Sequence, residues 1–178
     1  MVQPENLIVA PADIPLANPV KSAEDWHAMR HACVDDPGTF HGEIASRTIH
    51  WFVPDVGTDG AWLIYGEDGI WSGWDAATGE TVLPDLPEGF TPWTRAFDAD
   101  DAPHWRWFTG ARTNAAFNEV DRHVLAGHGA EAAFIFEGDR WDMSSNGGLG
   151  APVDCFTVSR KQLLLETAKC AVALTTFG

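Results

Sequence analysis

Two histidines at helical spacing are the first candidates for chemistry in this chain. His27 and His31 are four positions apart, so one helix face would carry both, and Cys33 follows closely. Imidazole and thiolate groups are good zinc ligands. However, Ala28 stands where a zinc protease carries its glutamate base, and no third ligand is evident. Two half-exposed helix histidines are therefore favoured over a metal site, and a small metal hydrolase is kept only as a third hypothesis.

A second group with catalytic residue types is the run Asp121-Arg122-His123. A histidine beside a carboxylate is a common acid–base pair. Adjacent helix positions point in different directions, however, so the three side chains cannot converge on one substrate. We therefore predict a structural role, in which Asp121 and Arg122 hold the following loop by charge-assisted hydrogen bonds.

Glycines and tryptophans supply the remaining candidates. Gly147, Gly148 and Gly150 lack the spacing of a phosphate-binding loop, so a flexible hairpin connection is predicted there. Trp62, Trp71 and Trp74 could form a docking face for another domain or ligand, or pack in the core beneath a small sheet. No nucleophile, base or carboxylate pair stands out, so we predict no catalytic residue and no metal site in this chain.

The charge and composition exclude several classes of function. With 178 residues and 45% hydrophobic content, the chain can build one domain with a core. Its net charge of −15 argues against nucleic acid and repels ATP and coenzyme A, so we expect this segment to bind no cofactor. No apolar run is long enough to span a membrane, and no signal peptide is evident. The three cysteines are interpreted as free thiols in a reducing cytoplasm.

Capping signals predict the first helices. Residues Met1 to Pro19 carry four prolines and should form an extended arm. Ser22 with Asp25 predicts a helix that runs to about Cys33. Asp36 and Pro37 then begin a second helix. Its end is expected near His50, and its buried stripe should consist of Phe40, Ile44 and Thr48.

A change of period predicts a three-stranded meander next. Its strands are residues 61–65, 70–74 and 80–83, separated by glycine turns. Pro84 should begin an irregular linker, and Asp98 to Asp101 is interpreted as a solvated acidic loop.

The second half of the chain alternates between helix and strand signals. Asn114 is predicted to cap a helix to about Leu125, whose buried face carries Phe117, Val120 and Val124, with Gly127 as its C-terminal cap. Strands over residues 132–136 and 155–158 should flank a loop over residues 138–154. A capping box at Ser159 and Gln162 then begins a last helix, for which Gly178 is the expected cap.

The stretch from residue 107 to residue 123 carries a family resemblance. Its pattern is Trp-Phe, a glycine, an asparagine, and then Asn-x-x-Asp-Arg-His. The matching residues are Trp107, Phe108, Gly110, Asn114, Asn118, Asp121, Arg122 and His123. This pattern, with the strand ending in Glu137-Gly138, resembles the N-terminal region of acetyl-CoA synthetases, which are AMP-forming acid–CoA ligases. The family's second glycine and its leucine before asparagine are replaced here by Ala111 and Thr113.

The resemblance implies an α+β fold in two parts. Residues 1–103 would be an N-terminal extension made of the Pro-rich arm, two helices, the Trp-rich β-meander and the acidic linker. Residues 104–178 would supply the first strands and helices of the large lobe of an adenylate-forming enzyme, truncated at Gly178. The Trp-rich insertion over residues 53–92 and the replaced motif residues look more like the synthetase portion of a fused propionyl-CoA synthase.

The resemblance also implies a function for the longer polypeptide. Such ligases use ATP, Mg and CoA to activate a short acid, here acetate, propionate or 3-hydroxypropionate, and their reactive residues follow the segment present in this chain. The eight motif residues would therefore be a scaffold, and the isolated segment is predicted to be inactive. Its partners would be its own synthetase body, with possible fused dehydratase and reductase domains, in a cytoplasmic homo-oligomer. The alternative is a free-standing Trp-rich module that binds a protein or a ligand.

Overall fold

Two helices open the part of the chain that the computed structural model describes, residues 20–177. Helix α1 covers Ala23–Asp35 and helix α2 covers Pro37–Thr48. The predicted arm, Met1 to Pro19, and the predicted cap Gly178 lie outside the described residues.

Side-chain caps fix where both helices begin, as predicted. The Ser22 hydroxyl accepts a hydrogen bond from the Asp25 amide at 3.0 Å, and the Asp36 carboxylate accepts one from the Thr39 amide at 3.0 Å. Pro37 occupies the first turn of α2, where its missing N–H is not needed. These short-range bonds satisfy amides that have no partner inside the helix.

The buried side of α2 differs from the predicted stripe. Ile44 and Thr48 are exposed, and the buried residues of the helix are Gly42 and Ala45. A Cβ added at Gly42 would touch the Cβ of Ala96, 3.4 Å away. The helix therefore packs through its smallest residues, because only they allow its backbone to approach the neighbouring strand so closely.

A four-stranded antiparallel sheet follows. Strands β1 (Trp51–Val53), β2 (Ala61–Tyr65), β3 (Trp71–Asp75) and β4 (Thr81–Val82) lie side by side in chain order. The last three strands confirm the predicted meander. Sequence reasoning missed β1, because three residues are too few to show an alternating pattern.

The core lies between α2 and one face of this sheet. Leu63 is fully buried there, and the Trp51 indole donates a hydrogen bond to the carbonyl of Ala45 at 3.1 Å. The buried members of this cluster are Ala45, Trp51, Val56, Ala61, Leu63 and Trp71. Burial of these side chains is the main favourable term that holds the helix on the sheet.

A hairpin occupies the region predicted as linker and acidic loop. Strand β5 (Arg95–Asp98) pairs with β6 (Arg106–Thr109), so the prediction of irregular structure is wrong for residues 95–98. The acidic residues are held locally, since the Arg95 guanidinium lies 3.1 Å from a carboxylate oxygen of Asp98. This hairpin crosses the predicted domain division between residues 103 and 104; the division itself stays a prediction.

A helix with wide turns follows the hairpin. It spans residues 115–128 and contains two π-helical stretches, Phe117–Asp121 and Val124–His128. The Asn114 side chain caps it as predicted, by accepting from the Phe117 amide at 3.2 Å. We call residues 115–128 the π-helical segment.

The C-terminal part pairs two strands and ends in a helix. Strand β7 (Ala132–Glu137) pairs antiparallel with β10 (Cys155–Ser159), which leads into α3 (Arg160–Phe177). The predicted capping box is confirmed, because Ser159 and Gln162 exchange side-chain to backbone hydrogen bonds of 2.9 and 3.2 Å.

The predicted loop between β7 and β10 contains a small hairpin. Strand β8 (Trp141–Asp142) pairs with β9 (Ala151–Pro152) around a short 3₁₀ turn, Asn146–Gly148. Among residues 20–177, no helix is both long and apolar enough to cross a bilayer.

Candidate functional site

Asn118 is the centre of the predicted scaffold motif. Its side chain lies on the π-helical segment and is only 7% exposed. Its Oδ1 accepts from the His50 amide at 2.8 Å, and its Nδ2 donates to the His50 carbonyl at 3.1 Å. The Thr113 hydroxyl and the Asn114 carbonyl lie 3.0 and 3.1 Å from the same Nδ2. A buried amide with this many partners fixes the chain segments around it.

Arg122 lies one turn further along and reaches the same place. Its Nη1 donates to the Thr48 carbonyl at 2.7 Å and lies 3.3 Å from Nδ1 of His50. The prediction that Arg122 holds the following loop is therefore wrong, because it binds the C-terminal end of α2 instead. A cation at this position also suits the negative end of the helix dipole.

His50 is neutral in this arrangement. Burial lowers its pKa to about 4, and the nearby charges of Arg122 and His123 act in the same direction. A neutral ring with the proton on Nε2 leaves Nδ1 free to accept from Arg122. Sequence reasoning missed His50, since a single histidine between a helix and a strand carries no recognisable motif.

The three side chains of the Asp121-Arg122-His123 run lie in different surroundings. Within residues 20–177, the Asp121 carboxylate has neither a hydrogen bond nor an ion pair, and it lines a groove on another side of the segment. Burial and the charges of Arg122 and Arg160 lower the pKa of His123. The three side chains therefore diverge, as adjacent helix positions require.

The aromatic start of the motif joins the hairpin to the core. Phe108 lies with its ring 5.1 Å from the rings of both Trp51 and Trp93, while Trp107 contacts His41 at 4.9 Å. Gly110 has φ of +84°, a backbone conformation that a side chain would strain. This part of the motif therefore contributes packing and chain direction.

The three candidate tryptophans do not share a face. Trp62 and Trp74 are register partners on β2 and β3, and both rings lie near-parallel to Phe117. Trp71 points to the opposite side, where it is buried in the core and donates to the carbonyl of Phe90 at 3.3 Å. Side chains alternate between the two faces along a strand, so residues three positions apart, such as Trp71 and Trp74, point to opposite faces. The prediction of one shared indole face is therefore wrong for Trp71.

The histidines of α1 gain no third ligand from the fold. His27 and His31 are both exposed. Cys33 turns to another partner, with its Sγ 3.4 Å from Nε2 of His41. Over residues 20–177 the fold gathers no group of three acidic, histidine or cysteine side chains suited to a metal ion.

Several features that could bind a phosphate are already engaged within the described residues. The glycines at 147 and 148 sit in the turn between β8 and β9, and that turn leads into a strand. The N-terminus of α3 is already capped by Ser159. Arg95, Arg106 and Arg140 are each ion-paired to aspartates. This turn, this helix N-terminus and these three arginines therefore hold the structure together, and the absence of a bound cofactor in this segment stays a prediction.

Comparison with known proteins finds one family that is similar to part of this scaffold. Residues 88–118, which include the hairpin and Asn118, match the family described as the acetyl-coenzyme A synthetase N-terminus. This part of the chain is therefore similar to the N-terminal region of acetyl-CoA synthetases.

Individual proteins that are similar to this chain are also acetyl-coenzyme A synthetases. An acetyl-coenzyme A synthetase of Mycobacterium bovis is 42% identical over 89 residues, which cover 49% of this chain and 12% of that protein. One from Rhodopirellula baltica is 42% identical over 76 residues, 43% of this chain and 10% of that protein. One from Pyrobaculum arsenaticum is 34% identical over 95 residues, 53% and 13% respectively. The chain therefore spans only about an eighth of the length of these relatives.

Proposed function

We propose that this chain is the N-terminal part of an AMP-forming acyl-CoA synthetase that activates acetate, propionate or 3-hydroxypropionate. In the proposed reaction the carboxylate attacks the α-phosphate of ATP, pyrophosphate leaves, and the CoA thiol then displaces AMP from the acyl-adenylate. The observation that carries the proposal is the match over residues 88–118, which ends at the buried hub Asn118.

In this proposal the described residues brace the enzyme and do no chemistry. ATP, Mg and CoA would bind to parts of the polypeptide beyond this chain. The charge supports this division, because 26 acidic residues against 11 Lys and Arg repel polyanions. The hub at Asn118 and Arg122 would hold α2, the sheet and the π-helical segment as one unit.

Exposed apolar side chains on β7, β10 and α3 support a larger body. Single exposed apolar residues are ordinary, but these three elements carry several of them, and successive strand residues place them on both faces of the β7–β10 pair. The exposed members are Phe134, Ile135, Phe136, Phe156, Leu165, Val172, Leu174 and Phe177. Further elements of a synthetase body would bury these side chains, which residues 20–177 leave open to water.

A narrower proposal is that the synthetase opens a fused propionyl-CoA synthase with dehydratase and reductase domains. The sheet β1–β4, whose last three strands lie in the Trp-rich insertion, would then brace a neighbouring domain. A homo-oligomeric assembly and a cytoplasmic location stay predictions. The free-standing Trp-rich module gains less support, since Trp71 is buried in the core and shares no face with Trp62 and Trp74.

Pyrophosphate exchange tests the proposed function in the natural full-length polypeptide. We expect exchange of labelled pyrophosphate into ATP to depend on one of the three acids, with thioester formed only after CoA is added. Absence of acid-dependent exchange with all three would contradict the proposal. The mass of the natural gene product tests the fusion separately, because dehydratase and reductase domains would enlarge it well beyond a single synthetase.

A further inference from the structure

We propose that the groove between the sheet and α3 receives a Lys or Arg side chain from the synthetase body of the same polypeptide. This inference rests on the proposed function, since it requires a chain that continues beyond the part described. The groove encloses about 450 Å³. Its walls are formed by Trp62 and Trp74 on the sheet, Phe117 and Asp121 on the π-helical segment, and Leu164 and Ala171 on α3.

The aromatic wall suits a cation. The ring of Phe117 lies 4.1 Å from that of Trp62, with 9° between the planes. Trp74 is also near-parallel to Phe117, at 6.4 Å and 23°. Both indoles are only partly buried and line the groove. Indole faces attract ammonium and guanidinium groups, and the attraction grows as water is excluded.

The single carboxylate in the groove lacks a counterion. Asp121 follows Phe117 by one turn of the π-helical segment and is half-buried. Within residues 20–177 its carboxylate makes no hydrogen bond and no ion pair. The adjacent Arg122 is already used at Thr48, and Lys169 on α3 pairs with Glu166. A half-buried carboxylate beside aromatic rings is best compensated by a cation from elsewhere.

Charge complementarity decides the kind of occupant. The chain has a net charge of −15, so a cationic segment would be attracted and a second copy of this chain would be repelled. The same helix α3 also presents Leu165 and Val172 to solvent. A body that covers those residues would bring its own side chains to the mouth of the groove. The occupant is therefore a Lys or Arg on an otherwise apolar segment.

Photo-crosslinking in the natural full-length polypeptide tests the occupant directly. Leu125 lines the groove and is 53% exposed, so benzoylphenylalanine can replace it there. After irradiation, mass spectrometry should find an intramolecular crosslink within a few residues of a Lys or Arg beyond residue 178. A mixture of isotopically heavy and light protein separates this result from a crosslink between two copies.

A matched pair of substitutions tests the role of the carboxylate. Asp121→Asn should lower the crosslink yield at 0.5 M urea by about fivefold, the factor expected for the loss of one favourable ion pair. Glu119→Gln on the same segment is exposed and outside the groove, so it should leave the yield unchanged. Replacing the identified cation by Asp should lower the yield, and combining that change with Asp121→Arg should restore it.

Four outcomes would overturn the proposal. They are the absence of any crosslink, a crosslink between copies, a crosslinked segment without a nearby cation, and equal yields for Asp121→Asn and Glu119→Gln. The experiment needs no acid, ATP or CoA, so it can succeed in a protein that activates none of the tested acids. A natural polypeptide with a mass near the 19.4 kDa of this chain would end both proposals together.

Discussion

Asn118 binds both backbone groups of His50, a residue 68 positions earlier in the chain. At the junction of α2 and β1, the Asn118 side chain thus takes the place of a strand partner for the backbone N–H and C=O of His50. The same junction is held by Arg122 through the carbonyl of Thr48. Asn118 and Arg122, two residues of the predicted scaffold motif, therefore clamp the start of the sheet.

Removal of the Asn118 donor should weaken the clamp. In Asn118→Asp the Nδ2 donor becomes a carboxylate oxygen that faces the carbonyls of His50 and Asn114. We expect the free energy of unfolding to fall by roughly 2–4 kcal/mol, because a buried acceptor is left unpaired against other acceptors. Urea unfolding followed by tryptophan fluorescence measures this. Glu119→Gln, an exposed neighbour, is the control and should change the value by less than about 0.5 kcal/mol.

Acid should destabilise the fold through His50. Its pKa is about 4 in the fold and about 6.5 in the unfolded chain. Above pH 6.5 both states are neutral, and the full stability is present. As the pH falls from 6.5 to 4, only the unfolded chain gains the proton, so stability falls; because solvent screens the partly exposed ring, the expected loss is about 1–2 kcal/mol. Below pH 4 this contribution levels off.

Unfolding in urea at several pH values tests that assignment. His50→Gln should lose less stability between pH 6.5 and 4 than the native chain does. Part of the slope should remain in this variant, because the pKa of His123 is lowered too. The matched control is His27→Gln on the exposed face of α1, which should keep the native slope. If the unfolding free energy of His50→Gln changed with pH as much as that of the native chain, His50 would not be the group responsible.

Gly73 on β3 should tolerate no side chain. A Cβ at this position would overlap the carbonyl oxygen of Trp62 on the neighbouring strand. Gly73→Ala should therefore separate β2 from β3 and lower the melting temperature sharply or prevent folding. Gly38→Ala in α2 is the matched control, since its nearest contact is an ordinary 3.5 Å, and it should be neutral or slightly stabilising. Similar melting temperatures for the two variants would show that the strands can shift.

Trp71 and Trp74 should differ in their effect on stability. Trp71→Ala empties a core position and should cost roughly 3–5 kcal/mol of unfolding free energy. Trp74 is half-buried on the opposite face, so Trp74→Ala should cost clearly less, about 1–2 kcal/mol. Thermal unfolding by circular dichroism compares the two. Equal losses would contradict the assignment of the two indoles to different faces.

Local signals predicted much of the secondary structure. The helix starts at Ser22, Asp36 and Ser159 and the cap at Asn114 all lie where short side chains could bind amides within three positions. The meander turns also lie at the predicted glycines, Gly69 and Gly79, both with positive φ. Such features depend on residues close in sequence, so the sequence alone contains the necessary information.

Features that depend on distant partners were not predictable in the same way. The buried face of α2 is decided by β5, a strand that the acidic and proline-rich sequence concealed. The role of Arg122 is decided by Thr48 and His50, which lie more than 70 positions away. Helix geometry predicted that Arg122 and Asp121 diverge, but only the fold could show which distant groups each of them meets.

The sequence by itself determined where helices and turns begin, the strongly acidic character of the chain, and the motif that resembles acetyl-CoA synthetases. Tertiary structure alone decided that Trp71 enters the core, that Asn118 clamps His50, and that Asp121 faces an indole groove with no counterion from residues 20–177. The physical reason is the separation along the chain of the residues that interact. Caps depend on neighbouring residues and charge on composition, whereas burial and pairing depend on which surfaces the folded chain brings together.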